Sequence, residues 1–340
     1  MCPNHINRIQ VMKELQSNFA RLIEEFIELQ MNLGYKYISQ TRVLQEFDAY
    51  CASKFPDSVT IDRELVLNWL SHHKGKHPST IETKISPVNC LARYCRSKGI
   101  RAYSILKGMM PKKVKYRPYI FSDDEIKCLF ASIDSSCKFS HIVPLRHLVL
   151  PVFFRTLYCC GLRVSEARLI QVKDVDLEIG VLTLTHTKNN KVRQVPVHPD
   201  LLGRLKVYHN VVHPFSKPND PFFPGMNGKP MTVGNVYRNF RRFLWHARIS
   251  HFGKTPIGET GAPNVHSLRH TFAVNCLRKW MKQGKNLHAY LPVLQEYLGH
   301  VNISDTEYYL HFSADMAEDI RETLEKRLGC MIPKTKTTMR

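Results

Sequence analysis

Residues 298–312 read LGHVNISDTEYYLHF. A leucine-glycine pair closes a helical pattern, His300 follows at once, and nine residues later comes Tyr309 beside Tyr308. A phenol is a poor nucleophile at neutral pH unless cations and a base assist it. Groups able to assist it stand earlier in the chain. HSLRH at 266–270 puts His266 and Arg269 three residues apart, on one face at the start of a helix entered through Pro263-Asn264. GLRVSE at 161–166 presents Arg163 just after a helix ends at Gly161, with Ser165-Glu166 opening the next. TKNNKVR at 187–193 is a polar turn between two apolar runs, a hairpin signature that places Lys188 at a tip. Each motif alone has a bland reading: a solvated arginine, a solubility lysine, a chance H-x-x-R. Arg163, Lys188, His266, Arg269, His300 and Tyr309 together form a set suited to metal-free attack on a phosphodiester.

Composition agrees with such a substrate. The chain has 340 residues, with 49 Lys+Arg against 29 Asp+Glu, a formal net charge of +20. That balance points to a polyanion, nucleic acid first and an acidic membrane surface second. Apolar residues make up 43%, which argues against wholesale disorder. No run approaches the ~18 apolar residues of a membrane span, and MCPNHINRIQ lacks a signal-peptide core. Ten scattered cysteines without a CxxC, and 17 histidines without HExxH, predict no metal site, no cofactor and a reducing, cytoplasmic compartment.

The expected fold is mostly α with a small β hairpin, in two domains. Residues 1–107 read as a helical bundle. Phe19, Leu22, Ile23 and Phe26 share one face; Val43, Leu44, Phe47 and Tyr50 repeat the pattern. A third helix is expected from Ile61 to Leu70 behind Thr60 as N-cap, and a fourth from Ser79 to Ser97. Residues 108–121, with Lys112, Lys113, Lys115, Arg117 and no acid, read as an extended basic linker that can lie along a phosphate backbone. The second domain, 122–330, opens on the capping box Ser122-Asp123-Asp124-Glu125. It contains an apolar helix from Leu145 to Cys160, the hairpin from Val181 to Val197, and helices from 232 onward interrupted by a Gly/Pro-rich loop. Residues 331–340 form a basic tail.

Taken in order, R-V-S-E, the K-x-N-K-x-R turn, H-x-L-R-H and L-G-H-x8-Y resemble the tyrosine recombinase (phage integrase) family, a transposon- or integrase-like member, over roughly 122–328. The resemblance implies an α+β catalytic domain behind a helical, SAM-like core-binding domain. It implies Arg163 as first catalytic arginine and Lys188 as the hairpin lysine, with Lys191 the other candidate. His266 and Arg269 match the H-x-x-R pair, His300 the His/Trp position, and Tyr309 the nucleophile, with Tyr308 as rival. Glu166 is implied to hold the first arginine, and Lys191 and Arg193 are expected on DNA with the linker cations. The 31 positions from Arg269 to His300 exceed the compact members' spacing, so a longer helix or a loop is expected near 284–292.

The implied activity is site-specific recombination, integration or transposition of a mobile element on double-stranded DNA. It would proceed through a 3′-phosphotyrosyl link without metal or ATP. In that scheme His266 manages the tyrosine proton and Lys188 protonates the leaving 5′-oxygen. Met316, Ile320, Leu324 and Leu328, spaced by four, are expected to dock a C-terminal helix on a neighbouring subunit and link a tetramer on two DNA sites. A chromosome-resolving Xer-like recombinase, a type IB topoisomerase and a non-catalytic DNA-binding protein are the alternatives.

Overall fold

The computed structural model describes residues 14–111, 117–187, 191–251 and 261–312, the side chains of residues 107, 311 and 312 excepted. The chain divides into two compact units, Met1–Lys115 and Tyr116–Arg340. Lys112, Lys113, Lys115, Lys188, Met316, Ile320, Leu324 and Leu328 lie outside the described residues.

The first unit contains α1 (Ala20–Asn32), α2 (Ile38–Lys54), α3 (Arg63–His72) and α4 (Pro78–Ser97). Their apolar faces meet in one core that includes Phe19, Ile23, Phe26, Leu44, Phe47, Leu65, Trp69, Ile85 and Leu91. The third helix starts later than its sequence implies. Asp62, not Thr60, caps it, its carboxylate accepting the Leu65 amide at 2.8 Å. A carboxylate is at least as good an N-cap as a hydroxyl and also favours the positive end of the helix dipole. Inside the bundle, the buried Asp48 accepts the amides of Gln16 and Ser17 at 2.7 and 3.1 Å, which ties the segment before α1 to α2.

The second unit contains α5 (Asp123–Ser136), α6 (Arg146–Cys159), the single turn α7 (Val164–Ala167), α8 (Pro199–Val212), α9 (Val233–His246), α10 (Val265–Lys282), α11 (Leu287–Leu298) and the short α12 (Ser304–Glu307). The capping box forms as its sequence implies: the Glu125 amide donates to Ser122 Oγ and the Ser122 amide to Glu125 Oε2. The hairpin gains a third strand. β1 (Val175–Asp176) pairs antiparallel with β2 (Val181–Leu184), and β2 with β3 (Arg193–Pro196). Register sets Leu182 opposite Val195 and Leu184 opposite Arg193. All four turn inward, since residues two apart on a strand share a face.

The long spacing after Arg269 is taken up by helix, not by an irregular loop. α10 continues to Lys282, Gly284 makes the turn at φ +66°, Asn286 caps α11 on the His288 amide, and Pro292 lies within that helix. α10 and α11 enclose a small apolar cluster of Ala273, Val274, Leu277, Leu291, Leu294 and Leu298, and the ring of Tyr309 completes it.

Candidate active site

The site is organised by the C-terminal end of α11. A helix end leaves carbonyls without intrahelical partners and concentrates negative partial charge there. Gly299 closes α11 in the left-handed region at φ +65°, and the His300 and Gly299 amides return to the carbonyls of Gln295 and Glu296, a Schellman closure. Three arginines take the outward carbonyls. Arg193 Nε donates to Tyr297 O at 3.0 Å, Arg269 Nη2 to Leu298 O at 2.6 Å, and Arg163 Nη2 to Gly299 O at 3.0 Å. Arg269 Nη1 also donates to the carbonyl of Gly161 at 2.8 Å. Both glycines are dictated by position. Each has positive φ; a Cβ on Gly161 would meet the Phe272 ring at 2.5 Å, and one on Gly299 the Arg193 guanidinium at 2.7 Å.

One carboxylate stands among the three guanidinium groups. Glu166, 3% exposed, accepts Arg163 Nη1 at 2.7 Å and the Arg163 amide at 2.8 Å. Arg193 forks onto both of its oxygens at 3.0 and 2.9 Å, and Arg269 Nη1 lies 3.9 Å away. Burial works to raise the Glu166 pKa, but Arg193 and Arg163 outweigh it and hold the carboxyl down at about 2. Three cations against one anion leave the pocket with surplus positive charge. Arg269, almost wholly buried, has its own pKa pushed down to about 10 by desolvation and then by Arg163. A bound phosphate would relieve both strains at once.

Tyr309 lies in this pocket within its own chain. It is 3% exposed, and its hydroxyl is 3.1 Å from His270 Nδ1. Burial raises the phenol's pKa, against the lowering pull of Arg269 and Arg163. Tyr308, half-buried, has its ring centroid 6.2 Å from that of Tyr309. His300 stacks on Tyr309 with centroids 6.1 Å apart, and its Nδ1 is held by the buried Thr306 hydroxyl at 2.8 Å. His266 starts α10, its amide capped by Asn264 Oδ1 at 2.8 Å, and its ring meets His270 edge-on at 4.6 Å. Desolvation first, then neighbouring cations, depress all three histidines: His266 to about 4, His270 and His300 to about 3. All three imidazoles are therefore neutral at pH 7, able to accept a proton or donate a hydrogen bond.

Of the six residues singled out by sequence, Arg163, His266, Arg269, His300 and Tyr309 surround the end of α11; Lys188 lies outside the described residues, and Thr187 Oγ1 donates to Lys191 O at 2.8 Å. Glu166 accepts hydrogen bonds from the Arg163 amide and guanidinium. The expectation that Arg193 contacts DNA is corrected: it is 7% exposed and locked onto Glu166. Strand alternation held the clue, since Arg193 has the same parity as buried Val195. Lys191 and Arg117 are exposed. His270 was missed, although it stands four residues after His266 on the same helix face. Among the described residues, no group of three or more His, Cys, Asp or Glu is placed to hold a metal ion, and no helix is long and apolar enough to cross a membrane.

Residues 121–316 match the phage integrase family. An integrase/recombinase of Sinorhizobium fredii, y4rB, is 31% identical over 316 residues, 92% of this chain and 98% of that one. The chain belongs to the phage integrase family. It is thereby a tyrosine-type site-specific DNA recombinase, mostly helical with a small antiparallel sheet. Tyrosine recombinase XerC of Bacillus subtilis is 27% identical over 88% of this chain and 93% of its own. Among solved structures of the family fold, the Tn1549 transposon integrase with transposon right-end DNA superposes with TM-score 0.63 at 17% identity, covering 90% of this chain and 98% of that one.

Proposed function

We propose that this recombinase cuts and rejoins double-stranded DNA at the ends of a mobile element, with Tyr309 as the nucleophile. The single observation that supports the assignment is the Tyr309 hydroxyl, buried within hydrogen-bonding reach of His270 in a pocket where Arg269 and Arg163 supply surplus positive charge. The phenolic oxygen attacks a phosphorus, a 3′-phosphotyrosyl bond forms and the P–O5′ bond breaks. Arg163 and Arg269 take the non-bridging oxygens, whose charge grows in the pentacoordinate transition state. His300 adds a hydrogen bond, and Lys188 protonates the departing 5′-oxygen. His266 lies in the same field, beside His270. The covalent link conserves the energy of the broken bond, so strand exchange requires neither ATP nor metal. The first unit serves as core-binding domain, with the basic linker on phosphates. The segment bearing Met316, Ile320, Leu324 and Leu328 joins protomers into a tetramer on two sites.

The test is covalent trapping. Wild-type protein is incubated with a randomised duplex library, the adduct is isolated after denaturation, and the attached DNA is sequenced. Tyr309→Phe should abolish the adduct and leave DNA binding near wild type, while Tyr308→Phe should retain both. An adduct on Tyr309→Phe would overturn the assignment. Recovery of element-end sequence supports the mobile-element role; recovery of a chromosomal resolution site would instead make the protein a Xer-like resolver, the reading that similarity to XerC favours.

A further inference from the structure

The catalytic set read from sequence gives the tyrosine proton to His266, yet the phenol's hydrogen bond runs to a different imidazole. We propose that His270 is the general base that takes the Tyr309 proton. This rests on the reading of Tyr309 as nucleophile.

Arg269, whose positive charge acts on the phenol, has donors only and offers the hydroxyl hydrogen no acceptor. The hydroxyl hydrogen is thus left to point at His270 Nδ1, 3.1 Å away, within the range for proton transfer. His270 can accept it only as a neutral ring with Nδ1 bare and the proton on Nε2. The surroundings enforce neutrality. Burial acts first, then His266 and Arg269 on its own helix and His300 beyond α11, while the Tyr309 ring faces it. In the step itself the Tyr309 O–H bond breaks and the proton moves to Nδ1. The freed electron pair forms the O–P bond, the P–O5′ bond breaks, and O5′ takes its proton from Lys188.

The same field makes the base conditional on substrate. Without DNA, the uncompensated arginines oppose a positive imidazolium. A phosphodiester anion seated on Arg163 and Arg269 cancels part of that field and raises the proton affinity of His270. The tyrosine is therefore activated when the scissile phosphate arrives, and an empty site does not generate a free phenolate.

The experiment uses the full-length protein and a duplex of the trapped sequence, nicked so that the short leaving strand escapes after cleavage. His270→Asn keeps an acceptor near the Nδ1 position but cannot take the proton; His270→Gln is the second variant should the first fold poorly. Thermal unfolding and DNA binding are checked alongside. Adduct formation by His270→Asn should fall by on the order of 10²-fold or more. Its rate should keep climbing tenfold per pH unit where wild type levels off. A 5′-bridging sulfur in place of the leaving oxygen, which needs no acid, should fail to restore it. Histidine ¹⁵N spectra of the DNA-free wild type should show His270 with Nδ1 unprotonated. Wild-type rates in a folded His270→Asn, rescue by the 5′-sulfur, or a protonated Nδ1 would each overturn the proposal. Absence of an adduct with wild type, or its presence with Tyr309→Phe, would instead sink the underlying nucleophile assignment.

Discussion

Glu166→Gln removes one negative charge and almost no volume from the centre of three guanidinium groups. The carboxylate accepts two bonds from Arg193 and two from Arg163, one of them from its amide. Gln keeps one acceptor but turns an NH₂ toward an arginine, so donor faces donor. Two independent routes give the cost. Lowering the carboxyl from its ordinary 4.5 to about 2 corresponds to about 3 kcal/mol at 1.36 kcal/mol per unit. Breaking a buried ion pair by removing one partner costs about 3–5 kcal/mol. Both are large against a total of roughly 5–15 kcal/mol. The melting temperature of the second unit should drop by roughly 6–12 °C, at roughly 2–4 °C per kcal/mol for a domain of this size. The acid dependence gives a second handle. A carboxyl depressed on folding contributes stability that is present above its unfolded pKa near 4.5 and is lost as pH falls through about 2. The gap between wild type and variant should be flat from pH 7 to about 5 and be about 1 kcal/mol smaller by pH 4. Calorimetry of both proteins over pH 3.5–7 measures this. A difference under about 1 kcal/mol at pH 7, or one that ignores pH, would refute the view that Glu166 is the counter-charge of the pocket.

Gly299→Ala combines left-handed strain of about 1–2 kcal/mol with a collision against Arg193, so both thermal stability and adduct yield should fall; an unchanged melting temperature would remove the steric account of the LGH motif. Arg193→Met should lower the melting temperature yet leave the slope of log Kd against log salt unchanged, whereas exposed Lys191, if it meets a phosphate, should reduce that slope by about 0.9 when replaced by Ala. Equilibrium binding over a salt series separates the two. His266, His270 and His300 have depressed pKa values, so the unfolded chain binds protons that the folded site refuses. Their penalty begins as pH falls below about 6.5 and grows down to 3–4. His300→Phe, which cannot take up that proton in either state, should show a shallower loss of stability between pH 6.5 and 4 than wild type; identical acid profiles would contradict the buried, neutral imidazole.

Much of this protein is legible in its residues taken in order. The 3.6-residue spacing of Ile23 and Phe26, or of Leu44 and Phe47, marks helix faces because burying one stripe is what makes a short helix stable. Ser122 with Glu125, Asn264 before His266, and Gly299 after Leu298 mark helix ends because the orphan groups there have few chemical partners. The ordered motifs, through the family they resemble, also picked out Arg163, His266, Arg269, His300 and Tyr309. What spacing cannot carry is which groups meet across 27 or 39 residues of chain. Arg193 reads as one more basic residue beside a polar turn; only the pairing of β3 with β2 and the approach of α11 turn it into the partner of Glu166. His270 reads as the trailing letter of HSLRH; only the fold of residues 304–312 back onto α10 brings a phenol to its ring. Local sequence determines elements and their ends through short-range sterics and hydrogen bonding. The assignment of charges to counter-charges, and of a proton to its acceptor, is decided by long-range packing, because Coulomb and hydrogen-bond energies in a buried pocket depend on distances that only the assembled fold sets.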